Sequence, residues 1–174
     1  MNEFLSEENI ALHKEYVRQK RLKYSIIESS IPELSGAEIR QIYRMKISAR
    51  DKSDAIDLLS EIKAHDIFFS SYCHTSYPRS ETVARVYGSE ASFLNSLYRN
   101  CLSQKYGFVF VYAFGERIEV KGFYDCKSAF RFGTPTLAID VCEHVYFMDY
   151  GFDKERYLTS SLPYLDITKL SARI

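Results

Sequence analysis

No apolar run in this chain approaches the roughly eighteen residues that a membrane-spanning helix needs, so no transmembrane segment is expected. Neither sign of charge predominates, with Lys plus Arg and Asp plus Glu at 23 each. That balance argues against a nucleic-acid or membrane-surface role carried by bulk charge. The basic run Arg18, Lys20, Arg21 and Lys23 is a local exception, and a solvated helix face accounts for it. The four cysteines, Cys73, Cys101, Cys126 and Cys142, form no C-x-x-C pair. Neither a zinc knuckle nor a small disulfide framework fits them, and reduced thiols in a cytoplasm are the expectation. The first ten residues, MNEFLSEENI, lack the basic segment and apolar core of a secretory signal. Internal repeats and low-complexity tracts are missing as well.

What is present suits one globular unit. The 174 residues are 46% hydrophobic and 26% charged, which suffices for a shared core and speaks against disorder. Ser6 is a good N-cap, with Glu7 and Glu8 placing negative charge in the first turn. The helix it opens is expected to run through Ile10, Leu12 and Val17 towards Ile26. Ser30, Pro32 and Gly36 mark a break. A second helical stretch is expected over Ala37 to Met45 and a third from near Ser53 and Asp54, with Ile56, Leu59, Ile62 and Phe69 at helical spacing. Ser70 to Pro78 reads as a link between two layers.

Glu81 to Val86 and Ser89 to Leu102 read as helical again. From Gly107 the period falls to two: GFVFVYA is a strand, Phe114-Gly115-Glu116 a turn and RIEVKGF a second strand. Ser128 to Pro135 reads as a loop, TLAIDV as a third strand, and Asp153 to Ile174 as two short helices parted by Pro163. Helices followed by a small sheet with flanking helices indicate an α+β fold. The division expected is a helical hairpin over residues 1–75 and an α+β layer over 76–174.

Three of the four histidines stand out. His13 falls on the first helix and His65 on the third, and His144 follows Asp140 by four residues just after an apolar strand; His74 lies in the link. An aspartate inside LAIDVCEHVYF is costly unless charged partners or a metal satisfy it. Taken singly, His13 and His65 also suit ordinary core or surface roles, and Asp140 suits a helix cap. Together, three imidazoles and a carboxylate suit a first-row ion such as iron or manganese, with one position left for solvent.

The segment DVCEHVYF, residues 140–147, resembles the iron/manganese superoxide dismutase signature D-x-W-E-H-A-Y-Y. LSEENIALH, ending at His13, resembles the family's I-S-x-E-T-M-x-L-H, and HDIFF from His65 resembles H-x-x-F-W. VYGSEASF (86–93) is similar to D-F-G-S-F-x-x-F, DKERYL (153–158) to N-x-R-P-D-Y-L, and the strands FVFV and IEV match a family hairpin. The resemblance thus runs from Leu5 to Leu158. It implies an amino-terminal helical hairpin, a three-stranded antiparallel sheet with helices, and one iron or manganese ion held by His13, His65, Asp140 and His144. The implied reaction is dismutation of superoxide to oxygen and hydrogen peroxide.

Around those four residues the chain departs from the family. Counting from His13, the proton-relaying tyrosine eight residues on is Arg21, whose charge would draw superoxide inward, and the interface histidine four residues on is Val17. The interface tyrosine is Phe147, so a polar pair across the dimer becomes an apolar one. Two active-site tryptophans become Phe69 and Cys142, in a chain with no tryptophan at all. The glutamine that reaches the active-site solvent comes in the family from one of two places, which here are Glu61 and Tyr124. Both, with Tyr24, are candidate replacements in the relay. Glu143 matches the residue that joins the two halves of a homodimer. A shifted register would match HKEYV to a later part of the family helix, restoring the tyrosine as Tyr16 but placing Glu8 at the ligand position. Three readings follow: a dismutase with rearranged proton delivery, a metalloprotein with other redox chemistry, and a non-enzymatic relic.

Overall fold

A computed structural model describes residues 4–171. The hairpin comes first. Helix α1, Glu7–Ser30, starts where the Ser6 hydroxyl accepts the Asn9 amide proton at 3.2 Å. It buries one stripe, Asn9, His13 and Val17, spaced by four as a single helix face requires. It passes the expected end at Ile26 by a turn, and Pro32 opens a single 3-10 turn beyond it. Of the second expected helix only α2, Ile39–Ile42, forms; its Ile39 and Ile42 are buried and turns flank it. Helix α3, Ala49–Ser70, begins ahead of Ser53 because Ser48 caps the Asp51 amide. α3 lies along α1 with the chains antiparallel: His13 meets Phe68 and His65, while Lys20 meets Glu61 further back on α3.

Helices α4, Glu81–Tyr87, and α5, Glu90–Ser103, lead into the sheet. Strands β1, Phe108–Phe114, β2, Arg117–Phe123, and β3, Leu137–Asp140, form a three-stranded antiparallel sheet in the order β2-β1-β3. An α+β fold of this kind is what the sequence predicts. Residues 108–112 of the central strand are all buried, which explains its unbroken apolar run. Between β2 and β3 the structure corrects one expectation. Helix α6, Cys126–Phe132, occupies much of the segment read as a loop, because Asp125 caps it by accepting from Ser128 and because Ala129 and Phe130 pack inward. Helix α7, Glu143–Tyr150, follows β3 after two residues, and helix α8, Lys154–Ser161, precedes two 3-10 turns, Leu162–Tyr164 and Ile167–Leu170. Pro163 lies inside the first of these turns rather than parting two helices, and residues 172–174 of the expected tail lie outside the described residues.

Two contacts lock this arrangement around one point. The Asn9 amide, buried on α1, donates to the Val145 carbonyl and to the Asp149 carboxylate, both at 2.9 Å, and so ties the start of α1 to α7. Gly107 then pins the β3–α7 connection to the start of β1. Its carbonyl accepts from Val141 at 3.0 Å and its amide donates to the Cys142 sulfur at 3.0 Å. Its φ of +93° is one that only glycine adopts readily, and a Cβ there would stand 2.2 Å from the Phe123 carbonyl oxygen.

Candidate metal centre

Each element delivers one side chain to the same place. α1 contributes His13 from its buried stripe, α3 contributes His65, β3 ends on Asp140 opposite Phe108, and the first turn of α7 turns His144 back over the strand end. The Nε2 atoms of His144, His13 and His65 lie 3.4, 3.6 and 3.9 Å from one atom, Asp140 Oδ2. All four ligand atoms fall within 4.8 Å of one another. Two donors about 2.1 Å from a common ion and about 110–120° apart are separated by about 3.4–3.6 Å, so the spacing suits one small ion. The His13 ring stands nearly perpendicular to those of His65 and His144, at 87° and 88°.

The hydrogen bonds around the cluster leave the inner atoms bare. His65 Nδ1 lies 2.7 Å from the Glu61 carbonyl oxygen, to which it can only donate, and Nε2 keeps its lone pair. Asp140 Oδ1 accepts from the Cys142 amide at 2.9 Å, so Oδ2 is the free oxygen. Buried His13 Nε2, His65 Nε2 and Asp140 Oδ2 have no hydrogen-bond partner. Buried polar atoms are nearly always paired, and these unpaired ones face each other. A cation between them would satisfy all three at once.

Charge states favour the same reading. Burial lowers the His13 pKa to about 4, against the attraction of Asp140 and with help from His65 and His144, so the imidazole is neutral at neutral pH. Burial alone would raise Asp140, but the His144 imidazole 3.4 Å from its Oδ2, together with His65 and His13, holds it below the usual carboxylate range. The adjacent Asp140 carboxylate raises His144 against its partial burial. His13, His65 and Asp140 are nearly inaccessible, while the His144 side chain is half exposed. The cluster is closed on three sides and open beside α7.

A cavity of about 230 Å³ adjoins it, lined by His65 and His144 and by Tyr16, Glu61, Tyr124 and Cys142 among others. Glu61 and Tyr124, both singled out from sequence, therefore face the site. Arg21 does not line the cavity: it pairs with Asp66 on the exposed faces of α1 and α3. Tyr24 reaches instead for the Leu34 carbonyl near the hairpin's far end, which removes it from any relay. Phe69 packs on His13 at 5.2 Å. Val17 is buried within the chain because it continues the His13 stripe, so the expected apolar pair with Phe147 across an interface has only Phe147 on the surface. Glu143 is exposed. Glu8 is exposed too, which removes the shifted register, yet Tyr16 reaches the site without it. Its ring lies 5.5 Å from His65 and 5.8 Å from His144. Its place one turn after His13 was the signal available for it.

The family model described as iron/manganese superoxide dismutases, C-terminal domain, matches residues 76–173, more than half of the chain. That match contains Asp140 and His144. His13 and His65 precede it and join them through the packing of the hairpin on β3 and α7. No curated protein matches the chain.

Acid should act on the metal-free protein through His13. Its folded pKa near 4 lies below the 6.5 of the free side chain, so between these values the unfolded chain binds the extra proton. Stability conferred by neutral His13 is complete above pH 6.5 and is lost as pH falls towards 4, by about 3 kcal/mol. The raised His144 works in the opposite sense and reduces the net change. Urea unfolding of metal-free protein across this range should show the midpoint falling with pH, and His13→Gln should flatten the slope. An equally steep slope in the variant would contradict this assignment.

Proposed function

The chain belongs to the iron/manganese superoxide dismutase family, and from that premise we propose that it disproportionates superoxide at one iron or manganese ion held by His13, His65, Asp140 and His144. The observation that carries the proposal is the convergence of unpaired Nε2 atoms on the buried Asp140 Oδ2. The ion, once bound, would pass an electron from one superoxide anion to a second. Two superoxide anions and two protons then yield one oxygen and one hydrogen peroxide. His13, His65 and Asp140 exclude water from three sides, and the open side at His144 meets a cavity of about 230 Å³, ample for a diatomic anion. Tyr124 and Glu61 stand on its wall as candidate proton-handling groups. In this reading residues 1–75 and 76–174 act as two layers, each supplying two of the four ligands.

We further propose that the protein works as a cytoplasmic homodimer through α7. All four cysteines are free thiols, and among the described residues no helix is long and apolar enough to cross a membrane. Phe147, Met148 and Phe152 are exposed at 48, 48 and 78%, and Phe147 and Phe152 rings meet at 5.0 Å. They adjoin the exposed Glu143 and the half-open His144, a face that a second copy would close.

Two measurements test these proposals. Protein loaded with iron or manganese should consume superoxide at neutral pH, and Asp140→Asn should lose metal together with at least about 10²-fold of activity. A fully loaded wild type that leaves superoxide untouched would favour other redox chemistry. Sedimentation at micromolar concentration should give a dimer, and Phe152→Asp should shift it towards monomer; a monomeric wild type overturns the dimer.

A further inference from the structure

One polar network beside the cluster has no part in holding the ion. Lys20 follows Tyr16 by one helical turn, so the two share a face of α1, and that face meets Glu61 on α3. The Lys20 ammonium lies 2.6 Å from Glu61 Oε2 and 5.0 Å from the centroid of the Tyr16 ring. The Tyr16 hydroxyl donates to the same Glu61 oxygen at 3.3 Å, a long bond to an oxygen already held by a cation. The ammonium and the phenol hydroxyl therefore meet at one Glu61 oxygen. The Tyr16 ring meanwhile packs on both ligand histidines that line the cavity. Tyr124, on the same cavity, packs its ring on Tyr106 at 4.7 Å and is more than half exposed.

We propose that Tyr16, Glu61 and Lys20 form the proton-delivery path of this site, with Tyr16 the terminal donor and Lys20 its resupply, an inference that rests on the dismutase reading above. The phenol O–H bond breaks as a new O–H bond forms on the reduced dioxygen anion. The ammonium of Lys20 returns a proton to the phenolate, and solvent restores the amine, since the Lys20 side chain keeps partial exposure. Glu61 is a positioning residue: ionised and paired with Lys20, it only accepts, and it holds the phenol at the cavity wall. A relay thus arises on the first turn after His13, five residues nearer the ligand along α1 than Arg21.

The test uses iron-loaded protein matched for metal content, with azide titrated into the optical spectrum as a readout independent of turnover. Tyr16→Phe should lower kcat by about 10²-fold, the usual contribution of a positioned acid, while azide affinity and kcat/KM stay within threefold. Lys20→Arg should also lower kcat, because a guanidinium keeps the charge and the Glu61 pair but yields no proton near neutral pH, and its azide affinity should be unchanged. Lys20→Met should lower kcat and weaken azide as well. Wild-type kcat in Tyr16→Phe overturns the donor, and wild-type kcat in Lys20→Arg overturns the resupply role. If instead Tyr124→Phe alone lowers kcat, the path runs through Tyr124 and the proposal fails. An inactive, fully loaded wild type fails the dismutase reading itself and this inference with it; an active wild type confines any failure to the path.

Discussion

The Asp140 carboxylate, wholly buried and approached by three imidazole nitrogens, is the constraint on which the rest of the structure depends. A lone charge there would cost several kcal/mol of desolvation. The surroundings answer that cost in ways that build the site. The Cys142 amide takes one carboxylate oxygen and leaves the other inward, and the Tyr157 hydroxyl, itself buried, donates to the Asp140 backbone carbonyl. Asn9 binds the start of α1 to α7, which fixes His13 and His144 relative to each other. Gly107 fixes β1 to the residues just after Asp140. Hairpin and sheet are joined where the four side chains meet, so an ion held there would draw on the same contacts that hold the fold together.

Much of this was legible in the residues themselves. Ser6 with Glu7 and Glu8, the aromatic and β-branched run from Phe108 and the unbroken run before Asp140 each carry a local physical signal, and each forms the expected element. The four candidate ligands converge because an aspartate in an apolar strand leaves few alternatives. The misses have local causes too. In α6, the aromatics and the nearby Gly133 and Pro135 hid a helix whose start depends on the Asp125 cap. For α2, nine residues with helical composition yield one turn, where Ile39 and Ile42 are buried while Ala37 and Met45 are covered only in part.

Counting offsets along α1 from family positions pointed to Arg21 and Val17. What decides a residue's role is which face of α1 meets α3, and that is a tertiary fact. The four-residue period from His13 sends Val17 into the core, and Arg21 finds Asp66 on the outer side of the hairpin. Tyr16 points across to Glu61. The replacement of family tryptophans by Phe69 and Cys142 leaves smaller side chains beside the cluster, and Glu61, paired with Lys20, stands at one of the two places where the resemblance implies a neutral amide. The four candidate ligands thus converge while the charges around them depart from the pattern that the resemblance implies.

The central claim is that four named atoms hold one ion, and X-ray absorption of protein loaded with iron or manganese tests it most directly. The account predicts one ion per chain, with three imidazole nitrogens and at least one oxygen at about 2.0–2.3 Å. His13→Ala and His65→Ala should each remove one imidazole from the fitted shell. A loaded ion with fewer than two imidazoles, or a shell that neither substitution changes, would contradict it.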